Sequence, residues 1–370
     1  MATANPVGIG IVGTGFGQKI HIPGFQRHQR TEVRAVYHRD LSKAQAIADQ
    51  YDIPAAYASI EALLADPRID AVSISTPPFL RYDFAKQAIL AGKPVLFEKP
   101  LNLNAGQTKE LYHLAAQQGV VTVVDFEFRF VPSWQLLAEY LQQGAIGTPR
   151  LIKIDWLAGS RANPQRGWNW YAQKDKGGGA LGAIGSHAFD YIAWLFGPIK
   201  RLCAQLSTSI PERPDAGGVM RPVDADDTCN FLMELKGGIP CQMNLSSVAY
   251  AARGHWVEIY GDHGTLVLGS SNPNDYVHGF SLLFAPAGEA LQPVPVPERL
   301  EFPEVYADGR LAPFIRVCDR FVESVDAEES LTPSLTEGVY SQLLMDLTHE
   351  SHANQRWVEV PDLETYLSAI

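Results

Sequence analysis

Six residues, Val7-Gly8-Ile9-Gly10-Ile11-Val12, carry no charge and no polar alternation, and they run straight into Gly13-Thr14-Gly15-Phe16-Gly17. A run of that kind suits a strand buried on both faces, the habit of a parallel sheet covered by helices. From about Lys19 the pattern turns helical. Strand, glycine loop and helix, in that order, are what a dinucleotide-binding loop requires. The first glycine makes the tight turn and the second lets backbone approach a pyrophosphate. The helix start then offers N–H donors and the positive end of its dipole. The spacing departs from strict G-x-G-x-x-G: the third glycine position is Gln18, and Gly17 falls one place early. On the loop alone, a plain glycine-rich turn stays open as the alternative.

The segments that follow narrow the choice. Residues 33–37, 71–75, 94–97 and 120–124 read as further short strands, and 42–51, 83–91 and 107–118 as helices. Alternation at this spacing predicts right-handed crossovers and a doubly wound parallel sheet. The end of the second strand sets the choice of cofactor. An acid there would bind the ribose 2′-OH of NAD. The chain instead has His38 and Arg39, with Lys43 slightly later. A guanidinium suits a 2′-phosphate, so the expected cofactor is NADP. The alternative is NAD, with Asp40 serving the ribose.

Three further segments carry a family resemblance. Ser75-Thr76-Pro77-Pro78 follows the third strand and Glu98-Lys99-Pro100 the fourth. Later comes Gly177-Gly178-Gly179-Ala180-Leu181-Gly182-Ala183-Ile184-Gly185-Ser186-His187-Ala188-Phe189-Asp190. Together, and in this order, they resemble the glucose–fructose oxidoreductase/inositol dehydrogenase (Gfo/Idh/MocA) family over nearly the whole chain. The resemblance implies an α/β N-terminal Rossmann domain plus an α+β C-terminal domain with a large, mostly antiparallel open sheet. The expected division is residues 1–125 and 126–370, with a last helix near 335–351 packing at the junction. Lys99 and His187 are implied as catalytic residues. Ser75, Thr76, Pro77, Pro78, Glu98 and Lys99 are implied at the cofactor, and the bond before Pro100 as cis. Many members carry an aspartate four residues before the histidine. Ala183 stands there in this chain, so the familiar polyol mechanism does not carry over intact.

The residue types suit carbinol oxidation. A histidine accepts a proton near neutral pH, and a lysine at the carboxyl end of a parallel strand lies where such sheets bind ligands. Its ammonium can stabilise a developing alkoxide; either residue could take the proton. Asp190, three residues after His187, could orient the imidazole, bind substrate, or make a structural hydrogen bond. Residues 159–176 read as a long loop bearing Arg161, Arg166, Trp168, Trp170 and Tyr171. These side chains suit stacking on a sugar ring or pairing with an acidic group, and a loop packed on itself is the alternative.

Composition excludes other classes. A net charge of −11 without a basic stripe argues against a nucleic-acid partner. The four cysteines are far apart and form no C-x-x-C pair, so neither a metal site nor a disulfide framework is expected. No apolar run approaches the roughly 18 residues of a membrane span, and no leader pattern opens the chain; a cytoplasmic protein with no membrane partner is expected. Strands are expected at 201–209, 228–236, 240–248, 255–261, 264–268 and 280–284, and helices at 313–325 and 335–351. Residues 285–303 read as a surface excursion. A large sheet with helices on one side predicts a homo-oligomer, dimer or tetramer, through its other face. The leading function is an NAD(P)-dependent oxidoreductase moving a hydride between nicotinamide and a sugar, polyol or related hydroxy/keto substrate. The alternatives are an enzyme that recycles a tightly held cofactor in situ, and a dinucleotide-binding sensor without turnover.

Overall fold

A computed structural model describes residues 5–272 and 279–369. The first part of the chain runs β1 (Val7–Val12), α1 (Ile22–Arg27), β2 (Thr31–Tyr37), α2 (Leu41–Gln50), β3 (Ala55–Tyr57), α3 (Ile60–Ala65), β4 (Ala71–Ile74), α4 (Pro78–Leu90), β5 (Val95–Phe97), α5 (Ala105–Gln118) and β6 (Thr122–Val124). Then come α6 (Pro132–Gln142), β7 (Pro149–Leu157), α7 (Ser186–Phe196), β8 (Ile199–Ser207), β9 (Glu212–Pro214), β10 (Met220–Pro222), β11 (Thr228–Leu235) and β12 (Pro240–Ser246). The rest is β13 (Gly254–Gly261), β14 (Gly264–Ser270), β15 (Ser281–Pro286), β16 (Gln292–Val294), α8 (Leu311–Ala327), α9 (Leu335–Asn354), β17 (Val358–Glu359) and α10 (Leu363–Ser368).

Two compact units share these elements. The first takes in the chain up to Glu127 together with Arg310–Gln342; the second takes in Phe128–Gly309 and the chain from Leu343 onward. The chain therefore returns to its first unit near the end, which a single division at residues 125 and 126 does not express. Helix α9 starts in the first unit and ends in the second.

In the first unit six parallel strands are ordered β3-β2-β1-β4-β5-β6. Every residue of β1, β4, β5 and β6 is buried, the signature of a sheet covered on both faces. Three details differ from the sequence expectation. The turn expected to open a helix at Lys19 is a π turn, Gly17–His21, with α1 following. Helix α4 starts at Pro78 rather than near residue 83, because proline fits the first helical position, where its missing N–H costs nothing. The short β3 and α3 had no periodicity long enough to be read.

In the second unit nine strands are ordered β16-β15-β14-β13-β7-β12-β11-β8-β17. All pairs are antiparallel except β7 with β12. Register places Leu202, Met233, Cys241, Ile152, Ile259 and Leu266 in one row, and all are buried. The adjacent row, Cys203, Leu232, Gln242 and Lys153, points to the opposite face; Leu232 and Gln242 there are exposed.

Candidate active site

Register in the first unit aligns Tyr37, Val12, Ile74, Phe97 and Val124 across five strands. The next residue of each strand is delivered to one edge: His38, Gly13, Ser75, Glu98 and Asp125. The strand order reverses between β1 and β4, the crevice where open α/β sheets hold ligands. Gly13 and Ser75 sit at that point.

The glycine loop separates structural from other demands. Gly13 has φ 120°, and a Cβ there would lie 2.7 Å from the Ser75 carbonyl carbon and the Thr76 nitrogen. A Cβ on Gly17 would strike Ser75 Oγ. Backbone geometry therefore requires Gly13, and a Cβ at Gly17 fits only if the Ser75 hydroxyl moves. A Cβ on Gly15 would meet no atom of the described residues within 4 Å beyond its two chain neighbours. A loop built in this way fits a dinucleotide pyrophosphate. Thr14 lies in the same loop, and Phe16 sets its ring 5.2 Å from the Arg310 guanidinium.

Beyond β2, the His38 ring nitrogen accepts the Asp40 N–H at 3.0 Å. The Asp40 carboxylate accepts from the Ser42 N–H at 3.0 Å and hydroxyl at 2.7 Å, capping α2. These bonds hold its carboxyl below the usual range. Arg39 and Lys43 are exposed beside this cap.

Arg81, which the sequence did not single out, organises the next two loops. Its side chain is buried, and its guanidinium donates to the carbonyls of Thr76, Glu98, Pro100 and Leu101. The Thr76-Pro77-Pro78 segment and the Glu98-Lys99-Pro100 segment are thereby tied to one cation. Burial drags the guanidinium down to about 10, against the attraction of Glu98. The Lys99–Pro100 bond is cis. Lys99 itself is half-buried.

Below these loops lie two more buried groups that the sequence reading missed, His21 and Asp125. His21 Nδ1 is 2.6 Å from Ser73 Oγ, and its ring stacks on Phe314 at 4.4 Å. Burial, helped by Arg81, pushes the imidazole down to about 3, so it is neutral. The available signals were a histidine inside Ile20-His21-Ile22 and an acid closing the apolar run Val123-Val124-Asp125.

In the second unit the glycine run leads through a π turn, Leu181–Gly185, into α7. Asp226 holds that turn: its carboxylate accepts the Leu181 N–H at 2.7 Å and its carbonyl accepts the Ala180 N–H at 2.9 Å. His187 is buried on the first turn of α7, edge-on to Phe128 at 5.0 Å. Asp190, one turn on, accepts two bonds from Arg129, at 2.9 and 2.7 Å, and both side chains are buried. The pairing ties α7 to the segment that precedes α6. The loop before the glycine run is also tied down. The Trp168 indole donates to the Pro222 carbonyl at 2.9 Å, and Arg161 lies on the ring of Tyr171 at 3.1 Å. Burial pushes the Tyr171 phenol up to about 12. Trp170 meets Tyr171 edge-on at 5.9 Å.

Residues 7–126 match the model of an oxidoreductase family for its NAD-binding Rossmann fold, and residues 138–360 match its C-terminal alpha/beta domain. The chain is 56% identical over 362 residues to an uncharacterized oxidoreductase of Synechocystis sp., covering 97% of this chain and 98% of that one. It is 29% identical over 330 residues to levoglucosan dehydrogenase of Pseudarthrobacter phenanthrenivorans, covering 81% and 82%. A solved levoglucosan dehydrogenase in complex with NADH and levoglucosan superposes with a TM-score of 0.87 at 25% identity, covering 97% of this chain and 100% of that one. Among the described residues no helix is long and apolar enough to cross a membrane.

Proposed function

This chain belongs to the Gfo/Idh/MocA oxidoreductase family, and we propose that it oxidises or reduces the CH–OH/C=O centre of a sugar, polyol or related compound with NADP. The observation that carries the reading is Gly15. It stands between Gly13 and Gly17, where a Cβ would strike Ser75 or Thr76, yet a Cβ on it would meet no atom of the described residues within 4 Å beyond its chain neighbours. Its smallness serves something that approaches the loop from outside.

When bound, the dinucleotide supplies the hydride acceptor or donor. The chain's own residues do the rest. Gly13, Thr14, Gly15, Phe16 and Gly17 hold the pyrophosphate, and Ser75, Thr76, Pro77, Pro78 and Glu98 take the nicotinamide ribose. Arg39 and Lys43 face the 2′-phosphate, since Asp40 is engaged as the cap of α2. Lys99 hydrogen-bonds the reacting oxygen, and His187 exchanges its proton. Arg161, Trp168, Trp170 and Tyr171 shape the substrate loop. A relative bound to levoglucosan supports a sugar substrate. The mixed face of the nine-stranded sheet, with Leu232 half exposed, supports assembly as a dimer or tetramer.

A fluorescence titration with NADPH and NADH tests the cofactor. NADPH is expected to bind more tightly, and Arg39→Ala to erase the difference; equal affinities in the wild type would overturn NADP. A panel of sugars and polyols, levoglucosan included, then tests turnover. Lys99→Ala and His187→Ala each cut turnover and leave dinucleotide affinity largely intact; unchanged turnover in both removes the site. Ala183, where an aspartate is common in the family, favours one second reading, a dinucleotide sensor. Binding without turnover on any of the panel would support it.

A further inference from the structure

Three buried side chains, His21, Glu98 and Asp125, each turn a polar atom toward the others, all within 4.8 Å. One oxygen of Asp125 lies 3.9 Å from His21 Nε2, too far for a hydrogen bond. The other oxygen of Asp125, and His21 Nε2 itself, have no hydrogen-bond partner among the described residues. Leaving an ionised carboxylate oxygen unpaired in a buried site is costly, and a second carboxylate so close raises the cost. The two acids are not equivalent. Glu98 accepts the Lys99 backbone N–H and lies in the field of Lys99, Arg81 and Arg310. Asp125 faces Glu98 and Glu127, with Lys99 as the cation that acts on it, and lies near the Cys318 thiol of α8.

We propose that Glu98 and Asp125 share one proton, held on Asp125, so that this centre presents one carboxylate charge to Lys99 instead of two. Asp125 touches neither substrate nor cofactor in this scheme; it is a positioning residue acting through charge. The environment agrees in direction. Burial, then the fields of Glu98 and Glu127, push the Asp125 carboxyl well above the usual carboxylate range. Burial raises Glu98 as well, and the surrounding cations oppose the rise. The neutral imidazole of His21 adds no compensating charge.

The sign of the consequence is unusual for a buried acid. The unfolded chain sheds this proton near pH 3.9 while the folded protein keeps it, so the folded protein binds more protons and its stability falls as pH rises through that window. Asp125→Asn removes the titration. Its unfolding midpoint is expected to gain on that of the wild type by roughly 3 °C for each pH unit between about pH 5 and the folded value. A variant that instead loses ground to the wild type as pH rises would mark an ionised, paired Asp125 and overturn the proposal. Infrared spectra of wild-type protein carrying isotope-labelled aspartate provide a second readout, independent of whether the variant folds. A protonated-acid carbonyl band at neutral pH that shifts with the label supports the proposal; absence of that band overturns it. So does a stoichiometric metal ion in purified wild type that the Asn variant lacks. A third readout rests on the dehydrogenase reading. Whatever turnover Asp125→Asn retains, its pH–rate profile keeps its position, and a displacement of about one unit or more overturns the proposal. The first two readouts need no substrate and stand apart from that reading.

Discussion

The surroundings of Lys99 and of His187 are held by different physics. On the Lys99 side one buried guanidinium, Arg81, donates to four backbone carbonyls. On the His187 side carboxylates do the holding: Asp226 receives the turn before α7, and Asp190 receives Arg129. Carbonyl acceptors do not titrate and do not depend on which side chains surround them. Carboxylate acceptors bring a charge that has to be matched. The first arrangement fixes backbone shape; the second fixes a helix through a pair that either partner can break.

The largest expected effect is on the carbonyl-held side. Arg81→Met leaves several buried carbonyls without a donor and should cost about 4 kcal/mol, with dinucleotide affinity falling along with stability. Chemical denaturation and a cofactor titration check this. A loss under about 1 kcal/mol would show that water or neighbouring N–H groups replace the guanidinium, and the contrast would fail.

Next comes the ion pair. Asp190→Asn, which removes the carboxylate charge that Arg129 faces, should cost about 3 kcal/mol, while the double change Arg129→Met with Asp190→Leu should recover most of it. Recovery of stability and of dinucleotide affinity together marks the pair as scaffold. Stability recovered without turnover, once a substrate is in hand, would return Asp190 to the chemistry.

The smallest effect on stability belongs to Gly15→Ala, expected within about 0.5 kcal/mol of wild type because no atom of the described residues beyond its chain neighbours lies in the way. Gly17→Ala, whose Cβ would strike Ser75 Oγ, supplies the contrast in the same loop. Gly15→Ala should nonetheless weaken dinucleotide binding clearly. A variant that binds NADPH as tightly as wild type would remove the observation on which the functional reading stands.

The sequence disclosed those features whose cause is local. Doubly buried strands announce themselves as apolar runs, and the glycine loop, Glu98-Lys99-Pro100 and the Gly177–Asp190 stretch lie whole within short windows. Arg81 was invisible because its acceptors are backbone carbonyls, which every residue carries and none advertises. Asp226 binds a turn 45 residues earlier in the chain, and Arg129 lies 61 residues before Asp190. Each reads as an ordinary charged residue until the fold brings its partner. The π turn at Gly17–His21 falls where the sequence pattern turns helical, because composition does not distinguish a π turn from the start of an α-helix. Ser59, the cap of the unread α3, is a single serine before a six-residue helix, too short to show a period.

The return of residues 310–342 to the first unit bears on the order of events during synthesis. Phe314, which stacks on His21, and Pro333, whose carbonyl receives the Val124 N–H, are made long after the strands they complete. A ribosome delivers residues in order, at about 5–20 per second. For that interval the nascent sheet is exposed along β6 and beneath His21, and must wait for the second unit to be translated before it can close. The lag gives chaperones a defined surface to shield and aggregation a defined time to compete. It also means that the first unit matures only after residues 310–342 have been translated.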